Sequence, residues 1–186
     1  MTTLNVTNLK NASSSSNNIV LNSDGSVTAS GLGLFASYAK IVDQKAANSN
    51  GGGFSSGAWR TRTLNTELWD TGNIVSLSSN QFTLQAGTYY VTWRCPAYSV
   101  YRAVSRLYNI TDSSTTQVGQ VSYASGHEDA TEQNTVGSAR FTISGAKAFE
   151  IQHRCQSSNT SNGFGVGTQS WGEYSIFCEV EIWKES

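Results

Sequence analysis

The stretch Gln81–Tyr98, QFTLQAGTYYVTWRCPAY, restricts the fold more than any other part of the chain. It reads as a strand, a tight turn at Ala86-Gly87 and a second, longer strand. Successive side chains of a strand point to opposite faces of the sheet. From Tyr89 the odd positions are Tyr89, Val91, Trp93, Cys95 and Ala97, a large apolar face that belongs in a core. The even positions are Tyr90, Thr92, Arg94, Pro96 and Tyr98. Two tyrosines are more aromatic surface than a solvated face needs, so this second face is expected to meet something other than water.

The same two-residue period recurs from Leu34 to the C-terminus. Strands are predicted over Leu34–Val42, Ala58–Leu64, Ile74–Leu77, the two strands above, Arg102–Thr111, Gln117–Tyr123, Val136–Ile143, Ala148–Gln156 and Trp171–Trp183. No stretch has convincing helical periodicity. Many short strands separated by polar turns predict an all-β sandwich or jelly roll, here of ten strands. The one proline, Pro96, suggests an edge strand or a bulge.

Residues 1–33 differ from the rest. They contain no aromatic residue, and Ser13–Asn18 is an unbroken polar run. Ile19–Leu21 and Ser26–Thr28 flank Asn22-Ser23-Asp24-Gly25, a hairpin signal. An isolated hairpin is marginal in water, so this segment is expected to serve as an anchor that folds against a partner, with residues 34–186 forming the head domain. The opening residues show neither the charged start nor the apolar core of a secretory signal. No apolar run reaches the roughly 18 residues of a membrane span. With 12 Lys+Arg against 13 Asp+Glu, nothing favours a nucleic-acid partner.

Cys95, Cys155 and Cys178 each occupy an inward strand position and read as small buried thiols; one disulfide among them would leave a cysteine over. No Cys or His spacing suits structural zinc. The triple glycine Gly51–Gly53 has no lysine or strand–helix context for phosphate binding. There is no GxSxG nucleophile elbow. His153 shares the inward parity of Phe149, Ile151 and Cys155 and reads as a hydrogen-bonded core histidine. His127 lies with Glu128, Asp129 and Glu132 in a polar loop that lacks the alternating ligand spacing of a calcium site. Asn5, Asn11, Asn109 and Asn159 begin Asn-x-Ser/Thr triplets, which carry little meaning without a secretory signal. An enzyme is not indicated.

Leu64, Asp70, Val75, Phe82, Gly87, Tyr89, Val91 and Trp93 resemble the spaced aromatic pattern of complement globular heads, which share the tumour necrosis factor jelly roll; the gap after Phe82 is one residue shorter. A second set of segments is similar to a jelly-roll domain at the ends of bacteriophage tail-fibre and other virion proteins. These are Gly57–Arg62, Val75–Asn80, Arg106–Asn109, Phe149–Cys155 and Glu179–Lys184, together with the leader residues Asn11–Ser15 and Asn22–Gly25. This resemblance implies a homotrimer on the exterior of a virus particle, tail or capsid, assembled in the cytoplasm of a bacterial host. It implies attachment to other virion proteins through residues 1–33. Calcium occurs near the trimer axis of some such heads, but no matched motif here supplies ligands, and no cofactor is expected.

In the family fold the Thr88–Tyr98 strand and the last strand lie side by side in the sheet facing the three-fold axis. The last strand alternates Tyr174, Ile176, Cys178, Val180 and Ile182 inward against Ser175, Phe177, Glu179, Glu181 and Trp183 outward. Tyr90, Tyr98, Phe177 and Trp183 are therefore expected at subunit contacts, where aromatics are enriched. Binding residues concentrate on loops. Tyr98, Tyr101 and Arg102 in Tyr98–Arg102, with Phe54 and Phe164 in glycine-rich loops, are the candidates for contact with a host-surface glycan or protein. The leading expectation is a non-enzymatic tail-fibre or tail-tip knob for receptor recognition. The alternatives are a capsid decoration protein or head fibre, which the short leader favours, and a free carbohydrate-binding module.

Overall fold

The computed structural model describes residues 8–10, 12–13, 19–29, 35–125 and 131–185. Every regular element among them is a strand. The chain divides into two compact units, Met1–Ala36 with Ser186, and Ser37–Glu185.

In the first unit β1 (Asn8–Leu9), β2 (Ile19–Leu21) and β3 (Val27–Ala29) form an antiparallel sheet in that order. The β2–β3 turn is closed by Asp24, whose Oδ1 accepts from Ser26 N at 2.9 Å and from Ser26 Oγ at 2.7 Å. Gly25 takes φ +85°, which a residue with a Cβ resists. The sequence predicts only the hairpin; Asn8–Leu9 adds a third strand. Leu9, Leu21 and Val27 are exposed.

The second unit holds eleven strands: β4 (Phe35–Lys45), which begins at the unit boundary, β5 (Arg60–Thr61), β6 (Thr66–Asp70), β7 (Val75–Ser78), β8 (Gln81–Leu84), β9 (Gly87–Tyr98), β10 (Arg102–Asn109), β11 (Ser114–Tyr123), β12 (Glu132–Ile143), β13 (Lys147–Cys155) and β14 (Ser175–Glu185). They form a five-stranded sheet, β12-β9-β14-β4-β6, and a six-stranded sheet, β11-β10-β13-β8-β7 with β5 beside β13. This is an all-β jelly-roll sandwich. The central strands bury the face that alternation predicts: Tyr89, Val91, Trp93 and Cys95 on β9 meet Leu107, Phe149 and Ile151 of the opposing sheet in a closed core, and Ala97 is buried beyond them. Gly137 on β12 makes room for the Trp93 indole, since a Cβ there would stand 2.1 Å from Trp93 Cζ2.

Three expectations change. The strand count rises from ten to eleven because β6 lies at a sheet edge, and its mostly exposed residues carry no inward apolar rhythm. Ala58–Leu64 is a strand only at Arg60–Thr61. Pro96 is buried in a strand with neighbours on both sides, not at an edge. The β9–β14 register runs from Tyr89–Lys184 to Arg94–Glu179 and stops short of Pro96, whose carbonyl is taken by Arg62 Nη1 at 3.2 Å. The missing N–H therefore costs no ladder bond with β14.

A second core cluster fills one end of the sandwich: Phe54, Ala97, Val100, Ala103 and Cys155, with Phe164 against it. Two glycine-rich loops zip together to cover it. Phe54 and Asn159 exchange both backbone hydrogen bonds, at 2.7 and 2.9 Å, and Gly51 N donates to Gly165 O at 2.9 Å. A Cβ at Gly53 would come within 2.4 Å of Thr160 O, so the triple glycine serves close backbone approach.

Candidate interaction surfaces

Beneath both sheet faces lies a buried polar group that fixes them. Arg62 is fully buried. Its Nη1 donates to Pro96 O and its Nη2 to Phe164 O at 3.1 Å, while its guanidinium lies 4.1 Å from the centre of the Phe164 ring. It thus ties β9 to the loop covering the sandwich end. His153 is fully buried with Nε2 at 3.2 Å from Thr135 Oγ1, and burial followed by the Arg62 charge holds it well below the usual imidazole value. Asp43 is buried 3.1 Å from Lys45 Nζ, and desolvation raises its carboxyl against the pull of Lys45 and Arg62. Cys95 and Cys178 face each other from neighbouring strands with sulfurs 3.3 Å apart, and all three cysteines are free and buried. Burial pushes the Cys155 thiol up to about 11.

The exposed face of the five-stranded sheet joins aromatics with compensated charges. Trp183 pairs with Tyr90 across the β14–β9 ladder, their ring centroids 5.8 Å apart, and Tyr38 of β4 closes on the other side at 5.3 Å. Tyr38 also donates its hydroxyl to Glu181 at 2.9 Å, and burial together with that acidic neighbourhood pushes the phenol up to about 12. Glu179 receives Lys40 at 2.8 Å and Arg94 at 3.6 Å; Glu185 receives Arg140 at 2.6 Å.

Phe177, expected on this face as a subunit contact, is buried within its own chain. The β13–β14 loop covers it: a Cβ on Gly165 would meet Phe177 Cδ1 at 2.5 Å and Pro96 Cγ at 3.2 Å. The same loop shifts the start of the last strand from Trp171 to Ser175. Ser175 is buried there, with its Oγ accepting from Thr168 N at 2.9 Å, while Tyr174 and Ile176, expected inward, are exposed.

The loop candidates separate in the same way. Phe54 is fully buried and Phe164 half-buried, their rings tilted against each other with centroids 4.5 Å apart in the second cluster, so neither is a loop-tip contact. Tyr98 and Tyr101 are half-buried at either end of a turn in which Ser99 and Tyr101 have φ +54° and +62°. Val100 plugs this turn into the cluster, and Ser99 N donates to Thr131 O at 3.0 Å, so the turn is held rather than free-standing. Arg102 is exposed. Of the acidic loop that includes His127, residues 126–130 lie outside the described residues.

Arg102 belongs to a row that the sequence reading did not assemble. The outward positions of β10 are Arg102, Val104, Arg106 and Tyr108. Arg106 lies 4.1 Å from the Trp59 ring centre and 4.5 Å from that of Tyr108, and its Nε donates to Gln152 Oε1 at 2.8 Å. Arg102 lies 4.7 Å over the Tyr123 ring. Arg, Val, Arg and Tyr at alternate positions of RAVSRLY was the available signal. Trp69 and Trp171, the most exposed tryptophans, were also missed; one sits on the edge strand and the other in a turn.

The fold has counterparts among solved structures. Crystal structures of murine APRIL superpose with TM-scores of 0.50 over 80% of this chain and 98% of theirs, at 8% and 9% identity. The likeness is one of fold: a jelly-roll sandwich. The globular domain of a zebrafish complement 1qA protein aligns at 14% identity over 79% of this chain and 95% of its own, with a TM-score of 0.48. No family model and no curated protein matches the sequence.

Proposed function

We propose that the chain is a non-enzymatic, homotrimeric surface-binding knob of a bacteriophage particle, carried at a tail-fibre or tail tip and used to recognise the host surface. The observation that carries the trimer is the Tyr38–Trp183–Tyr90 cluster on the exposed face of the five-stranded sheet, where three large rings lie between ion-paired side chains. The three rings are half-buried within the subunit; aromatic side chains are enriched in interface cores, and three-fold symmetry places the same face of each subunit around one axis. Tyr90, Tyr98 and Trp183 are the contacts, with Tyr38 joining them. The phage assignment rests on the resemblance of segments between Gly57 and Lys184 to virion proteins. The exposed Leu9, Leu21 and Val27 on the leader sheet support attachment of residues 1–33 to another virion protein.

Light scattering at micromolar concentration tests the trimer; a monomer overturns it. Electron microscopy of the particle tests the placement. Copies at the tail support adsorption, and copies on the head move the reading to capsid decoration.

A further inference from the structure

On the exposed face of the six-stranded sheet Arg102 and Arg154, like Arg106 between the Trp59 and Tyr108 rings, take part in none of the ion pairs formed among the described residues. They stand on adjacent strands. Val104 of β10 is the register partner of both Arg154 on β13 and Val121 on β11, and Arg102 is the partner of Tyr123. The two arginines are therefore diagonal neighbours, roughly 7–8 Å apart, on either side of an apolar floor. Val121 is 65% exposed and Tyr123 58%. A shallow cavity of about 320 Å³ lies between Arg102, Val104, Val121 and Arg154.

Arg102 is held for use. Its guanidinium rests on the Tyr123 ring, and Nη1 donates to Gln156 Oε1 at 2.9 Å. A guanidinium has five N–H donors in a fixed fork, so this leaves donors facing outward. Among the described residues, the one carboxylate on the strands of this face lies further along the sheet. Glu150 is buried and already accepts from Thr61 Oγ1 at 3.1 Å and Gln81 Nε2 at 3.4 Å, so it does not neutralise this end.

We propose that this face binds a carboxylate-bearing sugar, a uronic-acid unit of a surface polysaccharide. The arginine forks take the carboxylate, and Val104 and Val121 take the apolar C–H face of the ring. Charge complementarity selects an anion. Each guanidinium fork can engage two oxygens of an anion at once, as a carboxylate offers them. The open apolar floor suits a ring lying flat and offers no deep pocket for a peptide side chain. This identifies the ligand class for the surface-binding reading above and rests on it.

Calorimetric titration of the intact protein with oligogalacturonate, with maltohexaose and inorganic phosphate as comparisons, tests the assignment. The expected result is binding of the uronate alone, weakened about tenfold or more by Arg154→Gln and by Arg102→Gln, and unchanged by Arg140→Gln on the opposite sheet. Val121→Asp, at a side chain that packs little, should abolish binding with the melting temperature kept. Equal affinity for maltohexaose, binding of phosphate as strong as uronate, or uronate binding indifferent to all three face variants overturns it. Cell adsorption separates the two levels. Adsorption unaffected by Arg102→Gln and Arg154→Gln overturns the ligand and leaves the knob reading standing. Arginine-dependent uronate binding without adsorption to any cell overturns the knob reading and leaves the ligand standing.

Discussion

The two sheets turn chemically different faces to the outside, although each is built from the same alternation of inward apolar and outward mixed residues. On the five-stranded sheet Lys40, Arg94 and Arg140 each meet a glutamate, and the aromatic rings of Tyr38, Tyr90 and Trp183 pack on one another. On the six-stranded sheet Arg102 and Arg106 meet rings and amides, and Arg154 extends outward. A face whose charges are already answered gains nothing from an ionic partner, but it can bury aromatic area against a copy of itself. A face whose cations lack counter-ions keeps binding free energy for an anion. On the function proposed above, the first face serves assembly and the second recognition.

The comparison breaks first at Trp183. Trp183→Arg, or Tyr90→Ala with Trp183→Ala, should convert the trimer to monomer by light scattering. Arg102→Gln and Arg154→Gln should leave the mass unchanged. If both sets behave alike, the division between the faces is wrong.

The next largest effect lies beneath both faces. Arg62→Met strands the buried Pro96 O and the partly buried Phe164 O, and removes the ring contact. An unsatisfied buried polar group costs about 1–3 kcal/mol, so a loss of about 3 kcal/mol in urea unfolding is expected. A loss below about 1 kcal/mol would show that Arg62 does not tie the loop to β9.

His153 gives a pH signature of smaller size. Its folded-state proton affinity is depressed, so below about pH 6.5 the unfolded chain binds a proton that the native chain refuses. Stability should therefore fall as pH drops below that value, and the fall should flatten in His153→Gln. Asp43 acts in the opposite sense at lower pH. Its raised carboxyl takes a proton in the native state before the unfolded one does, which offsets part of the loss between that raised value and the ordinary value of 3.8. An unfolding free energy that is flat from pH 7 to 5 would contradict the buried neutral histidine.

The smallest effect sharpens the contrast between the sheets. Glu179→Gln removes the carboxylate shared by Lys40 and Arg94, both at least partly exposed. Partly exposed pairs contribute about 0–1 kcal/mol, so stability should barely move. The altered face should now attract oligogalacturonate weakly; a large loss of stability would mean that this ion cluster organises the sheet.

Local alternation was enough to locate the core. Tyr89, Val91 and Trp93 on β9, Phe149 and Ile151 on β13, and Cys178, Val180 and Ile182 on β14 are buried as their parity requires, because a half-buried sheet imposes a period of two on the chain itself. The spaced residues Leu64, Val75 and Phe82 also enter the core, and Asp70 accepts from Ile74 N and Val75 N at 2.9 Å each. The outward face of β9 was legible at Tyr90, and its neighbour Trp183 at the matching parity of β14.

Phe54, Phe164 and Phe177 mark where that reasoning ends. Parity and loop position assign them to the surface, but the loop carrying Asn159 and Gly165 folds back over Pro96 and Phe177 and closes a second core around Phe54. That contact joins residues about a hundred positions apart, and no local period records it. The same holds for Arg102 and Arg154: each is an ordinary exposed arginine in its own strand, and only the β10–β13 register makes them neighbours. Sequence by itself determined the all-β class, the core face of the central strands and the aromatic excess on β9, because these follow from nearest-neighbour geometry. Tertiary structure alone decided which outward residues stay outside and which of them act together, because strand pairing and loop packing are set by contacts between distant parts of the chain.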